Sequence, residues 1–224
     1  MKKIIGITLI LIGGISFAQD ANVAKSESQE SIYFGGGFMS NSKFNIDDKL
    51  AASNLPIIQS NVPEFVFGFS TLASNYLFDI EAGSNFFKQS NSAAVSNGSR
   101  GSVRLRVQRL FLNNNDFILS GGLNLAYTSN DFNVYSQANQ VDINDLSNST
   151  SNYIRLRNNM FYVGPSIGIG IKSKGKQVGR LNIGYEFALL TSKWNSDYAT
   201  VANAMNENGQ SRMMIGAVFF INKK

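Results

Sequence analysis

Neither cysteine nor histidine occurs in the 224 residues. Without cysteine there is no disulfide framework, no thiolate metal site and no cysteine nucleophile. Without histidine there is no imidazole zinc site and no Ser-His or Cys-His catalytic device. Proline is scarce at 3 residues, and only 16% of the chain is charged, against about 25% for an average globular chain. Disordered chains combine low hydrophobicity with high charge, and 43% hydrophobic residues exclude that class. The mean hydropathy of -0.08 argues against a bundle of spanning helices. So does the lack of any later apolar run near the ~20 residues a spanning helix needs. What the chain does have is 20 Gly, 17 Phe and a regular alternation of apolar and small or polar residues.

The first 18 residues read as an address. Lys2 and Lys3 form a positive start, Ile4 to Ile15 an apolar stretch, and Ser16-Phe17-Ala18 puts small residues where a signal peptidase cuts. Cleavage is expected between Ala18 and Gln19, leaving a flexible mature N-terminus over 19–30 and one barrel domain over 31–222. Without Lys2 and Lys3 the 20 basic residues fall to 18 against 15 acidic, a net charge of about +3. That balance, with no basic cluster among aromatics, does not suggest a nucleic-acid partner.

From residue 31 onward the period is two, the strand period. The pattern predicts eight strands near 31–39, 65–71, 77–86, 102–111, 117–128, 161–172, 180–190 and 211–221. In the second of these Phe65, Phe67 and Phe69 share one face, and Val66, Gly68 and Ser70 the other. Strands of about 10 residues suit a tilted bilayer crossing. Short turns are expected at 73–76, 113–115 and 173–176, and long polar loops at 40–62, 88–98, 130–152 and 192–209. Lys172, Lys174 and Lys176 crowd one of the short turns. In the loop 40–62, Asn45 is a candidate cap for a short helix to Ala52, and Leu55-Pro56-Ile57-Ile58 makes an apolar patch.

Which face turns outward decides the class. A soluble surface wants roughly 25–35% charged residues, and the Gly/Ser/Ala face is too poor in charge to supply them. That face suits the crowded lumen of a barrel of eight strands, which side chains just fill. The Phe/Leu/Ile/Val face then meets lipid. The expected fold is all-β, an eight-stranded antiparallel transmembrane up-and-down barrel, monomeric in outer-membrane lipid. A secreted soluble lipocalin-like ligand-binding barrel is the alternative of another class.

These features, with the terminal strand Arg212-Met213-Met214-Ile215-Gly216-Ala217-Val218-Phe219-Phe220, resemble the small outer-membrane β-barrel proteins of Gram-negative bacteria. The kind is OmpA/OmpX-like, or "porin family", and the resemblance spans roughly 31–222. It implies location in the outer membrane and handling by the barrel-assembly machinery, which reads such a terminal strand. The tail Ile221-Asn222-Lys223-Lys224 departs from the usual aromatic ending. The resemblance carries no shared catalytic motif.

Candidate site residues follow from the faces. Asp79, Glu81, Arg104, Arg106, Arg180, Glu186 and Arg212 share the polar face, and charges inside a membrane pair or line a watery space. Glu81 and Arg106 are expected at similar depth, as are Glu186 and Arg212, in a structural network that plugs the lumen. Asp79 and Glu81 would offer carboxylate chemistry, but Arg104 and Arg106 opposite leave both as paired carboxylates, so no enzyme is expected. Aromatic residues mark membrane interfaces: Tyr127, Phe161 and Trp194 are assigned to the outer one, and Phe111, Phe117 and Phe219 to the inner one. Gly164, Gly168 and Gly170 read as lumen space rather than a phosphate loop, and Gly35-Gly36-Gly37 as a bend or bulge. Asp47, Asp48, Asp142 and Asp145 match no calcium-loop spacing, and no metal or cofactor is expected. Two functions remain: a closed barrel that displays its loops for adhesion or interaction, or a narrow porin or transporter for small solutes.

Overall fold

The computed structural model describes residues 28–138 and 153–222. Eight strands follow in chain order: β1 (Gln29–Asn41), β2 (Asn61–Ala73), β3 (Tyr76–Ser90), β4 (Ala94–Asn113), β5 (Phe117–Ser136), β6 (Tyr153–Ser173), β7 (Lys176–Thr191) and β8 (Ser211–Asn222). A short helix, α1 (Asp47–Ala52), lies between β1 and β2. Every strand pairs antiparallel with its sequence neighbour, and β1 pairs with β8, so the sheet closes into a barrel. The expected leader segment 1–18 and its cleavage point lie outside the described residues.

The period-two pattern became a two-faced wall. Leu77, Asp79, Glu81 and Asn85 of β3 are buried, while Phe78, Ile80 and Phe86 are exposed. On β5 the exposed apolar series runs Phe117, Leu119, Leu123, Leu125, Tyr127. Ten residue steps at about 3.4 Å, tilted by about 40°, span roughly 25 Å, the height of a lipid-facing band. Beyond Tyr127 the outward side chains turn polar: Ser129, Asp131, Asn133 on β5 and Asn159, Arg157, Arg155 on β6.

The turns explain the short rim. Lys174 and Gly175 both have positive φ, 52° and 75°, the two-residue hairpin turn whose twist matches the strands. Asn114 closes the β4–β5 turn by accepting hydrogen bonds from the Asp116 and Phe117 amides at 3.0 and 2.7 Å. The starts of β1 and the end of β8 lie on this same rim.

Four sequence expectations need correction. Residues 88–98 are not a loop: β3 and β4 pair out to Ser90 and Val95. The turn between them is made by the Asn91 side chain accepting from the Ala93 and Ala94 amides. The same outward extension carries β5 to Ser136 and starts β6 at Tyr153, because alternation persists after the apolar signal fades. β1 begins at Gln29, so residues 29 and 30 belong to the barrel and not to a flexible leader. Gly35-Gly36-Gly37 is no bulge, since its register to β2 and β8 is unbroken. Its glycines permit close approach: a Cβ on Gly35 would lie 2.1 Å from the Ala217 carbonyl oxygen.

Candidate functional site

The barrel interior is sealed in three layers. At the short-turn rim Leu77, Leu110 and Ile118 are buried together, with Leu72 against them. Above them lies the charge layer, and above that an apolar core closed by the long connections.

Strand alternation brings all seven charged candidates into the middle layer, and each is at most 3% exposed. Asp79 accepts hydrogen bonds from Arg106 at 2.7 Å and Arg180 at 2.5 Å. Glu81 is bonded by Arg104 and by the Tyr33 hydroxyl at 3.1 Å. Glu186 accepts from Arg212 Nε at 2.7 Å and Asn124 at 3.1 Å, and Arg104 Nε lies 3.4 Å away. Arg212 also donates to Thr128 at 2.8 Å and lies over the Tyr162 ring at 3.9 Å. Arg180 is flanked by Tyr33 and Phe220 at 5.5 and 5.2 Å. Glu186 and Arg212 are register partners, at equal depth. Glu81 stands opposite Arg104 and Asp79 opposite Arg106, so the expected Glu81–Arg106 level is off by one pair. The tight turn at Ser74-Asn75 and the register shift at Leu110/Leu112 make equal distances from two different turns a poor measure of depth.

Glu64 is a lumen charge that sequence reasoning missed. It faces Arg104 at 3.4 Å and accepts from Ser102 Oγ at 3.1 Å. Extending the inward face Val66, Gly68, Ser70 back by one step reaches it. A void of about 30 Å³ remains beside Glu81, Arg104, Arg106, Asn124 and Asn182, room for about two water molecules and far too little for a water-filled path.

The upper layer is a cap. The β1–β2 connection carries α1, and it meets the β7–β8 connection over a core that includes Phe44, Leu50, Ile58, Phe87, Phe132, Met160 and Trp194. Two fully buried carboxylates tie it down. Asp47 accepts from the Phe44 and Ile58 amides at 3.0 and 2.9 Å. Glu207 accepts from the Asn45 and Ile46 amides at 2.5 and 3.1 Å and from Trp194 Nε1 at 2.6 Å. Trp194 is therefore not an interface aromatic: it is 1% exposed, because its N–H finds Glu207 and its ring packs edge-on to Phe44. Phe111, Phe117, Tyr127 and Phe219 are exposed on the outer wall, and Phe161 is partly so. Asn45 does not cap α1. Ile46 stands at that position, while the Asn45 side chain donates to the Asn206 and Asn208 carbonyls. Asp48 pairs with Lys43 at 2.5 Å, and Asp142 and Asp145 lie outside the described residues. Among the described residues no acidic cluster is arranged to hold a metal.

Burial pushes the Asp47 carboxyl above its ordinary range, and nearby Glu207 adds to this, against the pull of the two amide donors. A raised folded pKa means the folded cap holds its proton more tightly. The associated stability is present below the unfolded value of about 3.9 and is lost as pH rises through the raised value. Asp47→Ala leaves two buried amides without their acceptor, at about 1–3 kcal/mol each. It should expose Trp194 to acrylamide quenching while the barrel stays folded; an unchanged quenching constant would contradict the cap as described.

Outside, the extended β4–β6 wall carries its own polar face. Asp131 is bound by Arg155 and Arg157 at 2.5 and 2.9 Å, and Arg157 by Asp197 at 2.5 Å. Tyr153 and Tyr198 stack at 5.6 Å.

No protein-family model matches the chain, and no curated relative does. Among solved structures it is similar to Ail, the attachment invasion locus protein of Yersinia pestis, at 11% identity and a TM-score of 0.48, over 87% of this chain and 99% of that one. OprG from Pseudomonas aeruginosa gives 14% and 0.43, over 87% and 97%. Neisserial surface protein A gives 7% and 0.40, over 88% and 100%. At such values the assignment rests on this chain's own strand pairing and surface. A closed eight-stranded meander, a lipid-height apolar band and a filled polar lumen make it, in fold, an eight-stranded transmembrane β-barrel.

Proposed function

We propose that this barrel is a closed scaffold that displays structured surface beyond the outer membrane for adhesion or another interaction. The observation that carries this reading is the three-layer seal. An apolar plug, an arginine–carboxylate layer and a capped apolar core succeed one another along the axis. A barrel of eight strands has no width left for a continuous water path once such side chains are ordered. The polar upper wall of β4–β6, braced by Asp131, Arg155 and Arg157, is held rigidly above the lipid band and supports a display role. An apolar exterior with Phe38, Phe65, Phe111 and Leu190 fully presented speaks against a soluble lipocalin-like carrier. Among the described residues each carboxylate of the charge layer sits against an arginine, and this speaks against hydrolytic chemistry.

Planar-bilayer recording tests the reading. The purified barrel should be electrically silent, and Asp47→Ala should remain silent because the charge layer below the cap is untouched. Steady single-channel conductance whose ion selectivity changes in Glu186→Gln would establish the narrow porin instead.

A further inference from the structure

Of the arginines buried in the barrel, Arg104, Arg106, Arg180 and Arg212 each sit against a carboxylate. Arg100 does not. It is 2% exposed and has no ion-pair partner among the described residues. Its Nη2 donates to the Gln59 carbonyl at 2.8 Å, and its Nη1 meets no acceptor. The guanidinium lies between the rings of Phe44 and Phe87, at 5.3 and 5.1 Å. Burying a cation without a counter-charge is costly.

The arrangement of its contacts suggests a purpose. Phe44 and Gln59, which cover one ring face and Nη2, both belong to the β1–β2 connection. Phe87, on the other face, belongs to the wall. Lifting the connection would therefore strip Arg100 of its carbonyl and one ring together. The planar two-donor edge of the guanidinium would be left against Phe87, beside Phe132, Met160 and Trp194. We infer that Arg100 is the seat for a monocarboxylate with an apolar body, taken up in the barrel mouth when the 42–60 connection lifts. The carboxylate would replace the Gln59 carbonyl at Nη2 and also engage Nη1, as a bidentate pair. A flat carboxylate can enter in the plane of the guanidinium beside an aromatic wall, where a tetrahedral phosphate would be crowded. The apolar body would take the places of Phe44, Leu50 and Ile58. This site lies above the charge layer and requires no passage through it, so it is independent of whether the barrel displays its loops.

The probe is 4-phenylbutyrate, with 4-phenylbutanol as its uncharged counterpart, titrated by calorimetry into the full barrel in maltoside micelles. Emission of Trp194, the single tryptophan, reports the location. Saturable binding of the carboxylate with a change in Trp194 emission is expected, at least tenfold tighter than the alcohol and at least tenfold weakened in Arg100→Gln. Asp47→Ala should bind more tightly than the parent, since less free energy is spent opening the cap. Arg100→Lys keeps the charge but loses the planar edge, and should weaken binding several-fold even if Arg100→Gln does not fold. Absence of saturable binding, equal binding of the alcohol, or undiminished affinity in Arg100→Lys would each overturn the assignment.

Discussion

Replacing Asp79 with Asn should destabilise the barrel by about 3–5 kcal/mol, the cost of breaking a buried pair by removing one partner. Asp79 serves Arg106 and Arg180 together, at 2.7 and 2.5 Å. Arg106 retains Glu81 at 3.6 Å, but Arg180 has no second carboxylate among the described residues and would keep only its two flanking rings. Glu81→Gln should cost less. From the strand faces alone, loss of Glu81 is expected to strand Arg104 and Arg106. In the folded barrel Arg104 keeps Glu64 and Glu186, each at 3.4 Å, and Arg106 keeps Asp79. Urea unfolding of the barrel refolded into lipid vesicles should rank Asp79→Asn below Glu81→Gln in midpoint. The reverse order would refute the assignment of Arg180 to Asp79.

An arginine on the lipid face should be nearly as damaging. Leu123 lies near the middle of the band that runs from Phe117 to Tyr127, and it is 58% exposed. Leu123→Arg should cost about 2–4 kcal/mol in a bilayer, the range for a basic side chain at the midplane. Asn97→Arg sits on the outward face of β4 beyond the band and should stay within about 0.5 kcal/mol of the parent. Equal effects at the two positions in vesicle unfolding would mean that the band does not mark the membrane.

The fold was legible because one physical rule wrote most of it. A wall with lipid outside and packed side chains inside forces a strict alternation, so eight strands and seven lumen charges could be read from β1 to β8. The rule weakens where lipid ends. Residues 94–99 still alternate, Ala94 and Ser96 inward, Val95 and Asn97 outward, but polar outward residues carry no apolar signal. The upper reaches of β4, β5 and β6 were therefore read as loop. Trp194 misled for a related reason: an aromatic just past a strand fits an interface, and only its contacts with Glu207 and the distant Phe44 reveal that it is inside. The cap rests on contacts spanning some 160 positions, such as Asn45 to Glu207, and no local pattern records those. Arg100 was missed alongside them, since its meaning lies in the ring and carbonyl brought over it by a separate connection.

The pairing of the first strand with the last has a consequence for how the molecule is made. Seven of the eight seams join neighbours through local connections, and several of these can form as hairpins. The eighth, β1 to β8, joins residues such as Phe34 and Phe219. Closing a loop of roughly 180 residues instead of about 15 costs on the order of 2 kcal/mol more in chain entropy, before any contact rewards it. Until that seam closes, both edges present unpaired backbone that hydrocarbon cannot solvate. Assembly of this chain is thus governed by its slowest and most distant pairing. The glycines of β1 stand at that seam, where the final strand must approach closely enough to complete the ring.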